Sequence, residues 1–310
     1  MEPNPKRPRA RRPKVAAKCP PKRFEDPAMM KWNLIVDVGR CHNSQNCYLS
    51  VVDEYAGNEY PGYTAEMPLH GHKWIDILKR ERGQAPMVDV SYMPTMCNHC
   101  DDAPCIAAAE NGAIKKRDDG IVLIDPVKAK GQKHLVDACP YGAIWWNEEL
   151  EVPQHWNFDA HLLDRGWKQP RCVQACPTGA LRSVFTGDEE MAVIVKRDGL
   201  QVRGPELGTR PRVYYRNMDL FEKCFIGGSI AGIKDGKEEC ISGAVVVLNR
   251  DGAKIAELTS DDFGDFKFDG LDPDSGAYTV EILHPDFQSK SETVNLGESI
   301  YLGLLSLQTR

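Results

Sequence analysis

The pattern of hydrophobic and polar positions divides this chain near residue 227. Upstream, the β-rich run Leu34-Ile35-Val36-Asp37-Val38 predicts a strand that delivers the chain to Cys41. Residues 53–95 are rich in Gly, Pro and Tyr, with one short helix expected at 73–81. Gly120-Ile121-Val122-Leu123-Ile124 reads as a strand ended by the Asp125-Pro126 turn, 128–137 as a short helix, and 150–170 as a loop. From Gly227-Gly228 onward, short β-rich runs (244–248, 254–259, 266–268, 278–283, 300–307) alternate with turn clusters such as Arg250-Asp251-Gly252. That spacing predicts an all-β sandwich over 227–310.

Composition adds bounds. With 27% charged and 42% hydrophobic residues the chain reads as an ordinary soluble protein, and 310 residues suffice for two cores. Apolar runs such as 244–248 fall far short of the roughly 18 residues that suggest a membrane span. The net charge of −6 is uneven. Residues 1–30 carry nine Lys/Arg (Lys6, Arg7, Arg9, Arg11, Arg12, Lys14, Lys18, Lys22, Arg23) against three acids, leaving 30 basic and 42 acidic residues in the remainder. A Pro-rich basic arm over 1–32 reads as a disordered tail that docks on a partner, with nucleic-acid binding as the second reading. No apolar stretch follows Arg11-Arg12, so no export signal is read.

Most of the eleven cysteines fall in short-spaced groups between Cys41 and Cys176, the arrangement of metal ligands and not of a disulfide framework. Thiolate ligands need a reducing compartment, so the expected location is the cytoplasm. Cys97, Cys100 and Cys105 stand at x2 and x4 spacings, and Cys139 precedes Pro140. The segment Ala138-Cys139-Pro140-Tyr141-Gly142-Ala143-Ile144 recurs as Ala175-Cys176-Pro177-Thr178-Gly179-Ala180-Leu181, with five of seven positions alike. A fainter copy is Ala108-Ala109-Glu110-Asn111-Gly112-Ala113-Ile114.

Ferredoxins pair such runs crosswise, three thiolates from one and the Cys-Pro thiolate from the other. On that logic Cys97, Cys100, Cys105 and Cys139 hold one complete 4Fe-4S cluster. Cys41, Ser44, Cys47 and Cys176 make a second set, three thiols and one hydroxyl, with three readings: a three-iron cluster, a cubane with serine or water on one iron, or an empty site. In a third site Cys172 is an orphan ligand, because Val51 and the positions upstream of Cys172 supply no thiol. A fourth has Ala109, Ala129, Gln132 and Leu135 in its slots and binds nothing. A four-cysteine zinc site is the alternative for the first set. The expected fold class is therefore α+β: a double ferredoxin-like module over 33–226, then the sandwich. Cys19, Cys224 and Cys240 fit no group and read as structural. No P-loop, G-x-S-x-G or H-E-x-x-H motif is present, so catalysis by this chain alone is not expected.

The cysteine groups and Cys-Pro repeats resemble the iron–sulfur subunits of molybdopterin oxidoreductases. Pro61-Gly62-Tyr63-Thr64-Ala65, Arg80-Glu81-Arg82-Gly83, Ala160-His161-Leu162-Leu163-Asp164 and Pro205-Glu206-Leu207-Gly208-Thr209-Arg210-Pro211-Arg212 are similar, more narrowly, to the small subunits of pyrogallol–phloroglucinol transhydroxylase and resorcinol hydroxylase. Residues 259–268 are similar to that subunit's transthyretin- or carboxypeptidase-regulatory-like domain.

The resemblance implies a large partner subunit that carries a molybdenum bis-pterin cofactor and performs the chemistry on polyhydroxylated benzenes. This chain would be its non-catalytic iron–sulfur subunit, stabilising the partner or exchanging electrons with it. It departs from the family pattern at Ser44, Val51, Trp156 and Asp159, each in place of cysteine. An electron-relay β subunit of another molybdopterin oxidoreductase is the alternative expectation, and a non-redox zinc scaffold the second.

Overall fold

Strand β1 (Lys31–Asp37) organises the cysteine-rich half of the computed structural model, which describes residues 30–234 and 236–310. The basic arm expected over 1–32 lies almost wholly outside the described residues, as does Cys19. Side chains alternate across a strand, so β1 sends Leu34 and Val36 into one core and Ile35 into another.

The elements that follow are α1 (Asn46–Tyr55), β2 (Ile75–Gln84), β3 (Met87–Met96), α2 (Pro104–Ala108), β4 (Ile114–Lys116), β5 (Val122–Ile124), β6 (Trp145–Asn147) and β7 (Val152–Gln154). Next come α3 (Ala160–Leu163), α4 (Arg171–Ala175), β8 (Leu181–Thr186), α5 (Asp188–Asp198), β9 (Val213–Arg216) and α6 (Asp219–Glu222). β1 is the central strand of a three-stranded sheet, antiparallel to β8 and parallel to β9, with Leu34 opposite Val213. Met191 and Ile194 of α5 cover one face with Ile35; the other face packs on a core that includes Val51, Trp74, Trp156 and Cys172.

The sequence repeat is also a backbone repeat. Gly112, Gly142 and Gly179 have φ of 63°, 64° and 63°, a left-handed conformation natural to glycine, and each turns the chain into a short strand.

Three expectations are corrected. The helix expected at 73–81 is the strand β2, paired along its length with β3 from Ile75–Met96 to Gln84–Met87. Long-range pairing with the alternating run Met87-Val88-Asp89-Val90-Ser91 outweighs local helix preference. The helix expected at 128–137 is a set of turns with one 3-10 turn at Lys133–Leu135, interrupted at Gly131 with φ 79°. The loop expected at 150–170 is buried without a break from residue 152 to 162.

The C-terminal part consists of β10 (Cys224–Lys234), β11 (Lys237–Cys240), β12 (Val245–Arg250), β13 (Ala253–Thr259), β14 (Asp265–Leu271), β15 (Gly276–Leu283), β16 (Lys290–Leu296) and β17 (Ile300–Leu307). One four-stranded sheet runs β11-β10-β14 with β17 also on β10, and the other runs β13-β12-β15-β16. Ile226, Ile230, Val246, Leu248, Phe266, Val280 and Ile282 fill a shared core. The change of character expected at residue 227 falls inside β10.

The β2–β3 hairpin ties the two parts together. Its base, Ile75 and Met96, lies in the cysteine-rich core, and its tip reaches β10. A Cβ on Gly227 would come within 2.3 Å of the Met87 sulfur and 3.1 Å of the Phe266 carbonyl, so any larger residue there displaces the Met87 side chain. Beside it the Arg82 side chain, 1% exposed, donates to both carboxylate oxygens of Asp269 (2.8 and 3.0 Å), to Asp89 (2.9 Å) and to the Lys223 carbonyl (3.0 Å).

Candidate metal centres

Cys97 and Cys100 follow β3, Cys105 lies in the first turn of α2, and Cys139 follows the 3-10 turn at Lys133–Leu135. The structure brings these four together around one pocket. Ile114, Val122, Ile124, Ile144, Pro104 and Pro140 make the rest of the wall largely apolar.

The thiols ring the cavity and do not converge on a point: among the described residues no three Cys, His, Asp or Glu side chains cluster tightly enough for a single metal ion. Burial, then the neighbouring Cys139 and Cys105, pushes the Cys97 thiol far up; burial with Cys139 and Cys100 pushes Cys105 up to about 12. A cationic cluster core reverses this balance, since coordinating thiols deprotonate outright. His155 is 3% exposed on the cavity wall, and neither ring nitrogen has a protein partner. Burial holds this imidazole neutral, its pKa lowered to about 4, so one nitrogen carries an N–H in need of an acceptor. Four thiols, a dry wall and an unsatisfied donor fit a 4Fe-4S cluster, whose sulfurs accept hydrogen bonds.

The loop that carries these cysteines is clamped by residues that spacing did not reveal. Lys116 Nζ donates to the carbonyls of His99 (2.9 Å), Cys100 (3.0 Å) and Gly120 (3.0 Å), and pairs with Asp101 (3.0 Å). Arg212, with a 3% exposed side chain, grips both oxygens of Asp101 at 2.7 and 2.6 Å, while its backbone N–H donates to the Asn98 carbonyl at 2.8 Å. Burial works to raise the Asp101 pKa, but hydrogen bonds from Arg212 and Lys116 more than offset it and hold the carboxylate below its ordinary value. The Asp101 and Asp102 amides donate to the Arg210 and Thr209 carbonyls, 3.0 Å each, and Tyr141 meets the Thr209 hydroxyl at 2.6 Å. The only trace of this clamp in the sequence is the segment Thr209-Arg210-Pro211-Arg212, which carried the family resemblance without disclosing its role.

Of the second set, Cys41, Cys47 and Cys176 come together. Each of Cys41 and Cys47 feels the charge of Cys176, and Cys47 also feels Cys41. Cys47 is buried near the start of α1, and Cys176 caps α4. Burial raises the Cys176 thiol, but hydrogen bonds from the Leu181 backbone, the Thr178 hydroxyl and the Ala180 backbone outweigh it, so its pKa falls below the usual value. Ser44 lies in the loop between Cys41 and Cys47. It is exposed, between Asn43 and Gln45, both in left-handed conformation (φ 55° and 61°).

The other two sites are filled by protein. At the third, Val51, Trp156 and Cys172 share one core, with Trp156 and Cys172 fully buried. Asp159, also fully buried, accepts from Tyr55 Oη (2.7 Å), Trp156 Nε1 (3.3 Å) and the Arg171 backbone N–H (2.7 Å). At the fourth, Ala109, Ala129 and Leu135 pack together, and Gln132 bonds the Glu110 amide at 3.0 Å and the Lys128 carbonyl at 2.8 Å.

A family model for a 4Fe-4S dicluster domain matches residues 88–185. The chain is 46% identical over 283 residues to the pyrogallol hydroxytransferase small subunit of Pelobacter acidigallici, covering 90% of this chain and 100% of that one. It is 31% identical to a tetrathionate reductase subunit of Salmonella typhimurium, over 67% of this chain and 81% of the relative. Similarity extends to the arsenate respiratory reductase iron–sulfur subunit of a Shewanella species, at 26% identity over 60% and 96% of the two chains. With its thiol cage and this likeness along nearly its whole length, the chain belongs to the iron–sulfur subunits of the molybdopterin oxidoreductases, in the branch of the pyrogallol hydroxytransferase small subunit.

Proposed function

We propose that this chain is the iron–sulfur subunit of a molybdenum bis-pterin hydroxytransferase or hydroxylase acting on polyhydroxylated benzenes. The partner subunit carries the molybdenum cofactor and the catalysis. This chain holds a 4Fe-4S cluster on Cys97, Cys100, Cys105 and Cys139, and supports the partner. The observation that carries the reading is the contrast between one intact thiol cage and two sites packed solid with Trp156 and with Leu135 and Gln132. When bound, a cubane cluster stores and passes single electrons. The chain's own residues line its pocket with apolar side chains, position the Cys97–Cys100 loop through Lys116 and Arg212, and place a neutral His155 on the pocket wall.

Moving a hydroxyl between two aromatic rings entails no net gain or loss of electrons, so it does not require an unbroken relay to an outside acceptor. An electron-relay β subunit would need clusters where Trp156 and Leu135 now pack. The two four-stranded sheets support reading 227–310 as a transthyretin- or carboxypeptidase-regulatory-like domain, behind a ferredoxin-like module at 33–226. Among the described residues no helix is long and apolar enough to cross a membrane, and the free thiols favour the cytoplasm.

Iron and acid-labile sulfide per complex test the reading. No more than about eight irons are expected on this chain, and about twelve, three full cubanes, would refute it. Cys100→Ser should remove about four irons; iron unchanged in that variant, or zinc in place of iron, would be equally decisive against it.

A further inference from the structure

Beside the cage, Asn98 Oδ1, His99 Nε2 and both ring nitrogens of His155 are buried without a partner in the protein. His99 is 1% exposed and His155 3%. The surroundings fix the hydrogen on one of the two rings. The Val122 N–H donates to His99 Nδ1 at 3.0 Å, so Nδ1 carries a lone pair, the ring is neutral, and its hydrogen sits on Nε2. That N–H needs an acceptor, because a buried donor left unpaired is costly. Trp156 and Phe158 meet the His99 ring in T-shaped contacts at 5.7 and 5.4 Å and offer no lone pair, the Trp156 Nε1–H being itself a donor to Asp159. The His155 ring stands alongside, with centroids 5.8 Å apart and planes at 56°. At that separation two facing ring nitrogens stand at the edge of hydrogen-bond reach, and a small turn of the His155 ring closes the gap.

We infer that His99 is a positioning residue for the first cluster: its Nε2–H donates to one ring nitrogen of His155, which leaves the other His155 nitrogen protonated and facing the cluster sulfurs. The hydrogen bonds then run in one direction, from the Val122 amide through His99 and His155 to the cage. Each hydrogen in this chain meets a lone pair, which no other assignment of the two rings achieves once Nδ1 of His99 accepts. Without His99, either nitrogen of a neutral His155 could carry the hydrogen, and the Trp156 backbone beside the ring would compete for it. A partner on one ring nitrogen setting what the other can do is the ordinary way a histidine near a metal is oriented. The donor is also tied to the cage, since His99 lies between Cys97 and Cys100 and its carbonyl accepts from Lys116 Nζ at 2.9 Å. The inference rests on the iron–sulfur reading above and adds to it a residue that touches no iron.

The test uses the anaerobically purified complex. Iron analysis, redox titration and electron–nuclear double resonance of the reduced cluster compare wild type, His99→Asn, His99→Gln, His155→Phe, Asn98→Ala and the double variant His99→Asn/His155→Phe. Asparagine puts its carbonyl oxygen where Nδ1 accepts from Val122 and ends short of His155; glutamine puts an amide N–H near the place of Nε2. His99→Asn should keep its iron, shift the reduction potential negative by most of the change seen in His155→Phe, and lose the exchangeable proton coupled to the cluster. His99→Gln should recover part of that shift, and the double variant should shift no further than His155→Phe alone, as expected of residues acting in series. Asn98→Ala should keep the wild-type potential. An unchanged potential and proton coupling in His99→Asn would overturn the inference, as would additive shifts in the double variant. A shift in Asn98→Ala as large as that of His99→Asn would overturn it too, by assigning the Nε2 hydrogen to Asn98 Oδ1. Loss of iron from both His99 variants would make His99 a residue of the fold alone and overturn it equally. All of these leave the proposed function standing; zinc or no iron in the wild type would refute that function and this inference together.

Discussion

Replacing Asp269 with alanine removes two of the four hydrogen bonds that the Arg82 guanidinium makes, leaving Asp89 and the Lys223 carbonyl. The guanidinium is 1% exposed, but the Asp269 carboxylate is 32% exposed, so water reaches part of the space it leaves. Breaking a fully buried pair from one side costs about 3–5 kcal/mol; with Asp89 still in contact and water admitted at the Asp269 position, about 1–2 kcal/mol is expected. The double variant Arg82→Met/Asp269→Ala should lose less than Asp269→Ala alone, because it leaves no charge buried without its partner. Urea unfolding of the full chain reads the stability, and hydrogen exchange at β2 and β3 amides reads release of the hairpin tip, which matters because so large a chain need not unfold in one step. Asp269→Ala within about 0.5 kcal/mol of wild type, with unchanged hairpin exchange, would refute the role assigned to this pair.

Other outcomes follow from the same geometry. Burial raises the Asp269 pKa, but hydrogen bonds from Arg82 and the Gly270 amide, with the Arg82 and Lys267 charges, bring it net below its ordinary value. Its contribution is therefore complete above the unfolded carboxylate pKa of about 3.9 and lost as pH falls through the lower folded value, so Asp269→Asn should flatten stability against pH in that acid range. His155→Phe should shift the first cluster's reduction potential to more negative values in a redox titration, with His155→Gln restoring part of the shift; identical potentials in all three would remove the hydrogen-bond role. Gly227→Val places carbon where the Met87 sulfur sits and should destabilise by about 1–3 kcal/mol, with Met87→Ala relieving part of that loss.

What the sequence disclosed and what it hid divide by distance along the chain. The cage cysteines were legible because their spacings are local and ligand chemistry admits few residue types. So were the later strands, whose runs alternate between turn clusters. The helix expected at 73–81 was misread because its apolar positions do not choose between periods until β3 pairs with them. The burial of the 150–170 segment was not legible because its polar residues find their partners only in the fold: Gln154 bonds the Ala65 and Glu66 carbonyls, and Asn157 accepts from Tyr55. Arg212 is an ordinary arginine in the sequence, and only the fold brings it 111 residues back to Asp101.

The parallel pairing of β1 with β9 also sets an order of events. The central strand is made first and its neighbour at Val213–Arg216 far later, and the Thr209–Arg212 clamp on the Cys97–Cys100 loop arrives just before it. During synthesis, then, all four cage cysteines emerge from the ribosome before the Thr209–Arg212 part of the clamp, whereas Lys116 is made between Cys105 and Cys139. Contacts of such long sequence separation form slowly. The Thr209–Arg212 contacts to Asp101 and Asp102 are thus the last part of the cage's support to be placed.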